Sequence, residues 1–254
     1  MIKVIILGAG NVASHLCRAF DDSKEISVIQ VYNRNKNSLY SLSPKINTTT
    51  CLLDIKEADI YIIAIADDAI KSFSKSLPFT NKLVVHTSGS KALNKLAAKN
   101  RKGVFYPLQT FSKNQGIDFS EIPICLEAEN KNDLKLLEEL GNAISKNVQV
   151  INSEERSKLH LAAVFVNNFV NYLYEVGSDL LLEDSLSFDL LKPLIKETAY
   201  KIENLNPSKA QTGPAKRNDK KTIKNHLHLL KNSPYQKLYA EMTEAILQKY
   251  DKGN

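Results

Sequence analysis

Gly8-Ala9-Gly10-Asn11-Val12-Ala13 is the stretch whose reading decides the fold. It follows the apolar run at 3–7 and opens an amphipathic stretch at 12–20, so a glycine turn joins a strand to a helix. Gly8 permits the tight turn, Gly10 lets a ligand approach the backbone, and Ala13 keeps the third position small for helix–strand packing. The free N–H groups at the start of that helix, around Asn11 and Val12, suit a pyrophosphate. Alone the glycines say little. With a strand before, a helix after and a second strand at 27–32, they make a dinucleotide-binding fingerprint.

The end of that second strand selects the dinucleotide. An NAD site usually places a carboxylate there to bond the ribose hydroxyls. Here the strand ends in Asn33-Arg34, with Lys36 beyond and no Asp or Glu. A guanidinium suits a 2′-phosphate by charge and fork geometry, so the expected cofactor is NADP(H). Asn33 and Arg34 would also serve as plain turn residues.

Outward from this unit, β-rich runs at 60–66, 83–87, 103–106, 122–127 and 147–151 alternate with helical stretches at 91–99 and 131–145. Such alternation predicts βαβ units and a mostly parallel sheet covered on both faces. After residue 151 the strands stop. Ser153-Glu154-Glu155-Arg156 reads as a helix start capped by Ser153, with helices expected over 154–183, 188–205, 219–230 and 234–250. The expected fold is α/β: an N-terminal Rossmann dinucleotide-binding domain, residues 1–151, followed by an all-α domain, residues 152–254, for substrate and dimerisation.

Composition narrows the class. With 254 residues, 43% of them hydrophobic, the chain can bury a sizeable core. Its apolar runs are too short to span a bilayer, and Met1-Ile2-Lys3 leads straight into a strand rather than a signal peptide. Cys17, Cys51 and Cys125 are far apart and lack metal-ligand spacing, so they read as buried small hydrophobes in a reducing cytoplasm. No metal is expected, and His226 and His228, two residues apart on a helix, face apart. The net charge of +6 lies in residues 201–254, with 11 Lys and Arg against 5 Asp and Glu. No nucleic-acid motif accompanies this basic tail, so nucleic acid is an unlikely partner.

Ligands in open parallel sheets sit beyond the carboxyl ends of strands. Ala66 and Asp67 fall there and are expected at the cofactor, although Asp67 and Asp68 would equally cap a helix. His86 and Ser88 would edge the nicotinamide; Tyr106 and Gln109 would donate hydrogen bonds to substrate. On the helix expected over 154–183, His160 is the group suited to proton transfer near neutrality. At about 100° per residue Asn167 shares its face, and Asn168 lies roughly 80° away. The polar loop at 211–219, with Gln211, Thr212, Lys216 and Arg217, reads as ligand-facing.

These stretches together resemble a family of bacterial Rossmann-like proteins with a helical C-terminal domain of unknown function. The matching segments are 8–15, Asn33-Arg34, 85–90, 103–111, 160–169 and 211–219. In outline the chain is similar to pyrroline-carboxylate reductase, ketopantoate reductase, prephenate dehydrogenase, 6-phosphogluconate dehydrogenase and the deazaflavin-dependent NADP reductases. The resemblance implies hydride transfer, a helical domain that often forms a homodimer, and Asn168 as the motif amide where face geometry favours Asn167. One departure stands out. Hydroxyacid dehydrogenases carry a catalytic Lys four residues before an Asn on this helix, whereas Ala162 lies four residues after Lys158. The expectation is an NADP-dependent oxidoreductase acting on a small oxo, imino or hydroxy acid between the two domains, with His160 and Asn168 catalytic. The alternative is an NADP-binding sensor without turnover.

Overall fold

A computed structural model describes residues 1–40, 45–112 and 116–250. One eight-stranded sheet has the order β3-β2-β1-β4-β5-β6-β7-β8. Its strands are β1 (Ile2–Leu7), β2 (Ile26–Tyr32), β3 (Thr48–Thr49), β4 (Ile60–Ile63), β5 (Leu83–His86), β6 (Arg101–Pro107), β7 (Ile124–Ala128) and β8 (Val148–Val150). β1 to β6 are parallel; β7 pairs antiparallel with β6, and β8 runs parallel to β7. The chain therefore reverses for its last two strands.

Side-chain alternation divides the core in two. Val4, Ile6, Ile62 and Val85 enter one cluster, which α1 (Asn11–Asp21) closes with Ala13, Leu16 and Phe20, and α3 (Lys131–Asn142) with Leu137 and Leu140. Ile5, Leu7, Ile63 and Val84 enter the other, closed by Ile70 of α2 (Ile70–Ser76). β4 and β5 are buried at every residue, as strands covered on both faces must be.

Three local expectations need correction. The helix expected at 91–99 is only a short 3-10 turn, Leu93–Lys95. Its backbone is engaged elsewhere: Lys91 O accepts from Arg156, Leu93 N–H donates to Ser153, and Ala97 N–H to Ser74. Asn152, not Ser153, caps α4 (Ser153–Ala163), in a capping box with Glu155. Cys51 is exposed, while Cys17 and Cys125 are buried.

The chain forms two compact units, the first Met1–Asn168 and the second from Phe169 onward. α4 thus belongs with the sheet. A π-helical stretch, Val164–Phe169, follows it and leads into α5 (Val170–Leu182). The second unit continues with a 3-10 turn Phe188–Leu191, α6 (Lys192–Asn204), α7 (Pro207–Ala210), α8 (Lys220–Leu229) and α9 (Gln236–Tyr250). No strand follows Val150 among the described residues. Within this unit Tyr235 Oη donates to the Asp179 carboxylate, and His226 Nδ1 meets Tyr239 Oη at 2.8 Å. Several apolar side chains along the stretch 154–183 are exposed: Phe165 59%, Val166 73% and Leu182 68%.

Among the described residues, no helix is long and apolar enough to cross a membrane. No cluster of three or more His, Cys, Asp or Glu side chains that could hold a metal occurs among them either.

Candidate functional site

A cavity of about 910 Å³ opens beyond the carboxyl ends of β1, β4, β5 and β6, with every lining residue in the first unit. At one end lies the glycine turn. Gly8 adopts φ +130°, and a Cβ there would stand 2.2 Å from Ala64 O, so neither its conformation nor its surroundings admit a side chain. Gly10 is the N-cap of α1 in extended conformation, with nothing within 4 Å of where a Cβ would be. No side chain caps this helix, leaving its first N–H groups to the cavity that Gly10, Asn11 and Val12 line. An open face before an uncapped helix is the cradle a pyrophosphate requires, so these residues fit a dinucleotide.

Asn33, at the end of β2, also lines the cavity, and its amide donates to Asn35 O at 2.9 Å. Arg34 is exposed beside it. Ala66 and Asp67 line the wall after β4. The Asp67 carboxylate caps no helix; it accepts from the Ser88 and Ser90 hydroxyls, each at 2.7 Å. The segment after β6 completes this side with Tyr106, Gln109 and Phe111. Asn11 Nδ2 donates to Phe111 O at 2.9 Å, and His15 Nε2 meets Ser112 O at 2.9 Å, fastening that segment to α1.

The opposite wall is α4 and the π-helical stretch. His160 lines it, with Nδ1 3.1 Å from Tyr106 Oη and the rings edge-on at 6.1 Å. Burial, then the Cys125 and Asp67 charges, pushes the Tyr106 phenol up to about 12, so it keeps its proton at neutral pH. Both Asn167 and Asn168 face the cavity. The i→i+5 winding of a π-helix advances each residue less than an α-helix does. It therefore brings a residue one position later back toward the His160 face, so that both amides line the cavity.

One helical turn before His160, Arg156 is 1% exposed and ion-paired with Glu127 of β7. Its Nη2 donates to Lys91 O at 2.7 Å, and Ser153 Oγ donates to the same carboxylate at 2.8 Å. This anchor is absent from the sequence reading. A cation in the first turns of a helix that also carries the catalytic candidate was the available signal.

His86 and Ser88 are corrections. His86 is 0% exposed and does not line the cavity, because strand alternation turns it the same way as buried Val84. Its Nδ1 accepts from Ser88 N–H at 3.1 Å, which leaves the proton on Nε2, directed toward the Ala92 carbonyl without a well-formed hydrogen bond. Burial above all, with the Arg156 charge second, lowers its pKa to about 4. Ser88 is buried and spends its hydroxyl on Asp67, Ser90 N–H and Lys91 N–H. Gln211 and Thr212 lie in the second unit, where Gln211 Nε2 donates to Thr212 O and Lys216 Nζ to Gln211 O.

Two family models match the chain. The family model described as NADP oxidoreductase coenzyme F420-dependent matches residues 3–89, and Domain of unknown function DUF2520 matches residues 122–246. The solved structure described as "putative NADP oxidoreductase BF3122 from Bacteroides fragilis" is 38% identical, with a TM-score of 0.89 over 97% of this chain and 98% of that one. Protein TM1727 from Thermotoga maritima, 20% identical, has a TM-score of 0.81 over 98% and 100%. Plasmodium falciparum pyrroline carboxylate reductase with NADP bound, 16% identical, has 0.59 over 98% of each chain. These last two show a shared fold. No curated protein sequence matches. The chain belongs to the family of NADP oxidoreductases that carry a DUF2520 domain.

Proposed function

We propose, from that membership and from the cavity, that the protein transfers hydride between NADP(H) and a small oxo, imino or hydroxy acid. The observation that carries this reading is one cavity lined by the glycine turn at one end and by the Tyr106–His160 pair at another. Gly10, Asn11 and Val12 would hold the pyrophosphate, Asn33 and Arg34 the 2′-phosphate, while Ala66 and Asp67 border the cofactor. NADPH, when bound, supplies the hydride.

The chain's own residues handle position and protons. The Tyr106 hydroxyl keeps its proton, and its oxygen can accept from His160 Nδ1–H, which leaves Nε2 of the neutral imidazole as the proton-accepting nitrogen. His160 in its imidazolium form delivers the Nε2 proton to the substrate oxygen or nitrogen in reduction, and the neutral ring takes it back up on Nε2 in the reverse direction. Asn167, Asn168 and Gln109 orient the polar groups of the substrate. We also propose a homodimer through the second unit, which exposes Leu182, Leu190 and Leu194.

NADPH absorbance followed across a panel of oxo and imino acids tests the reading. Sustained oxidation with at least one of them is expected, and His160→Ala should lower it about a hundredfold with NADPH affinity nearly unchanged. Tight NADPH binding without oxidation across the whole panel would instead mark a sensor.

A further inference from the structure

Gly89 follows β5 at a position where glycine is not needed for its backbone, since its φ is not left-handed. Space is what it supplies. A Cβ built there would stand 2.6 Å from His160 Nδ1, 2.8 Å from His160 Cγ and 2.7 Å from Tyr106 Cζ. All three distances are below any normal carbon contact. The loop backbone at Gly89 therefore lies against both partners of the pair that bears the proton chemistry.

That backbone is not free to retreat. Behind it the Asp67 carboxylate holds the Ser88 and Ser90 hydroxyls, and Ser88 Oγ accepts from Ser90 N–H at 3.2 Å and Lys91 N–H at 3.0 Å. Ahead of it, buried Arg156 grips Lys91 O. The helix is equally fixed, because the same guanidinium is paired with Glu127. Glu127 faces Val104, two residues below Tyr106 on β6, a rise of about 6.6 Å. From Arg156 to His160 is four helical residues, about 6 Å. The anchor thus sets His160 level with Tyr106, and the loop fills the space beside them.

We propose that Gly89 is a positioning residue: its missing side chain forms the seat in which His160 and Tyr106 meet, so the loop after β5 sets where the imidazole stands. The proposal rests on His160 as the acid/base only for its effect on turnover; the seat itself is independent of that role. With loop and helix both pinned, a methyl group at 89 displaces the rings rather than the backbone.

The full-length protein with ¹⁵N-labelled histidine provides the test, the His160 signals being assigned by their loss in His160→Gln. Tyr106→Phe breaks the hydrogen bond and moves the Nδ1 resonance. Gly89→Ala should move that resonance in the same way, and adding Gly89→Ala to Tyr106→Phe should move it little further. In turnover, Gly89→Ala should lower kcat about tenfold or more with KM for NADPH within about twofold, as misplacement of a reacting group does. An unchanged Nδ1 resonance in Gly89→Ala overturns the proposal. So does an equal loss of NADPH affinity, which would make Gly89 part of the cofactor wall. Should Gly89→Ala fold poorly, the His160→Ala background decides: a smaller loss of melting temperature from Gly89→Ala there than in the wild type supports the seat, and an equal loss overturns it. A moved resonance with no effect of His160→Ala on turnover would leave the seat standing and remove the acid/base role.

Discussion

At His86 the protein holds an imidazole where a charge is disfavoured. Its pKa, lowered to about 4 by burial and by Arg156, lies below the ordinary 6.5. Between those values the unfolded chain takes up a proton that the native protein refuses, so stability falls as pH drops from about 6.5 to about 4 and levels off below. The loss attributable to this residue should reach about 3 kcal/mol. Urea unfolding of the wild type and of His86→Gln at stepped pH checks it, and the variant should show a shallower acid slope. At Arg34 the expected effect is on affinity. Arg34→Ala should weaken NADPH about ten- to a hundredfold, the worth of a charge-assisted hydrogen bond, and leave NADH unchanged. Fluorescence titration with both nucleotides separates the two. The glycine turn and Asn33-Arg34 were legible because a strand–turn–helix unit fixes the path of its own backbone. His86 was misread because the strand end says where a residue sits but not to which face its side chain turns.

Among the elements, α4 carries the proposed acid/base group. It starts on a capping box and is pinned at Arg156 before it presents His160. Removing one partner of a buried pair leaves the other uncompensated, which typically costs about 3–5 kcal/mol. Glu127→Ala should therefore destabilise the first unit by that order, while Arg156→Met with Glu127→Met should cost less; chemical denaturation compares them. Most of the sheet's strands could be read from Val- and Ile-rich runs. The stretch 91–99 could not, because its helical pattern was overridden by Ser74, Ser153 and Arg156, which arrive from distant parts of the chain. Nor could the π-helical stretch, since one extra residue in a turn leaves no mark in a single sequence.

Considered whole, the molecule pairs a well-buried sheet unit with a helical unit rich in exposed leucines. Leu182, Leu190 and Leu194 of the helical unit are each more than 60% exposed. Sedimentation should give twice the 28.5 kDa chain mass, and Leu182→Glu with Leu194→Glu should return it to one chain mass with helix content intact. The three thiols also differ in access. Burial pushes Cys17 up to about 12 and raises Cys125, whereas Cys51 stands exposed. A maleimide dye will therefore attach at Cys51 first. That position lies two residues beyond Thr49, whose carbonyl accepts the Asn33 N–H at 3.1 Å. The wild-type chain thus carries its own attachment point for an optical reporter beside the turn proposed to select the cofactor, and its emission should report nucleotide binding without altering a single residue.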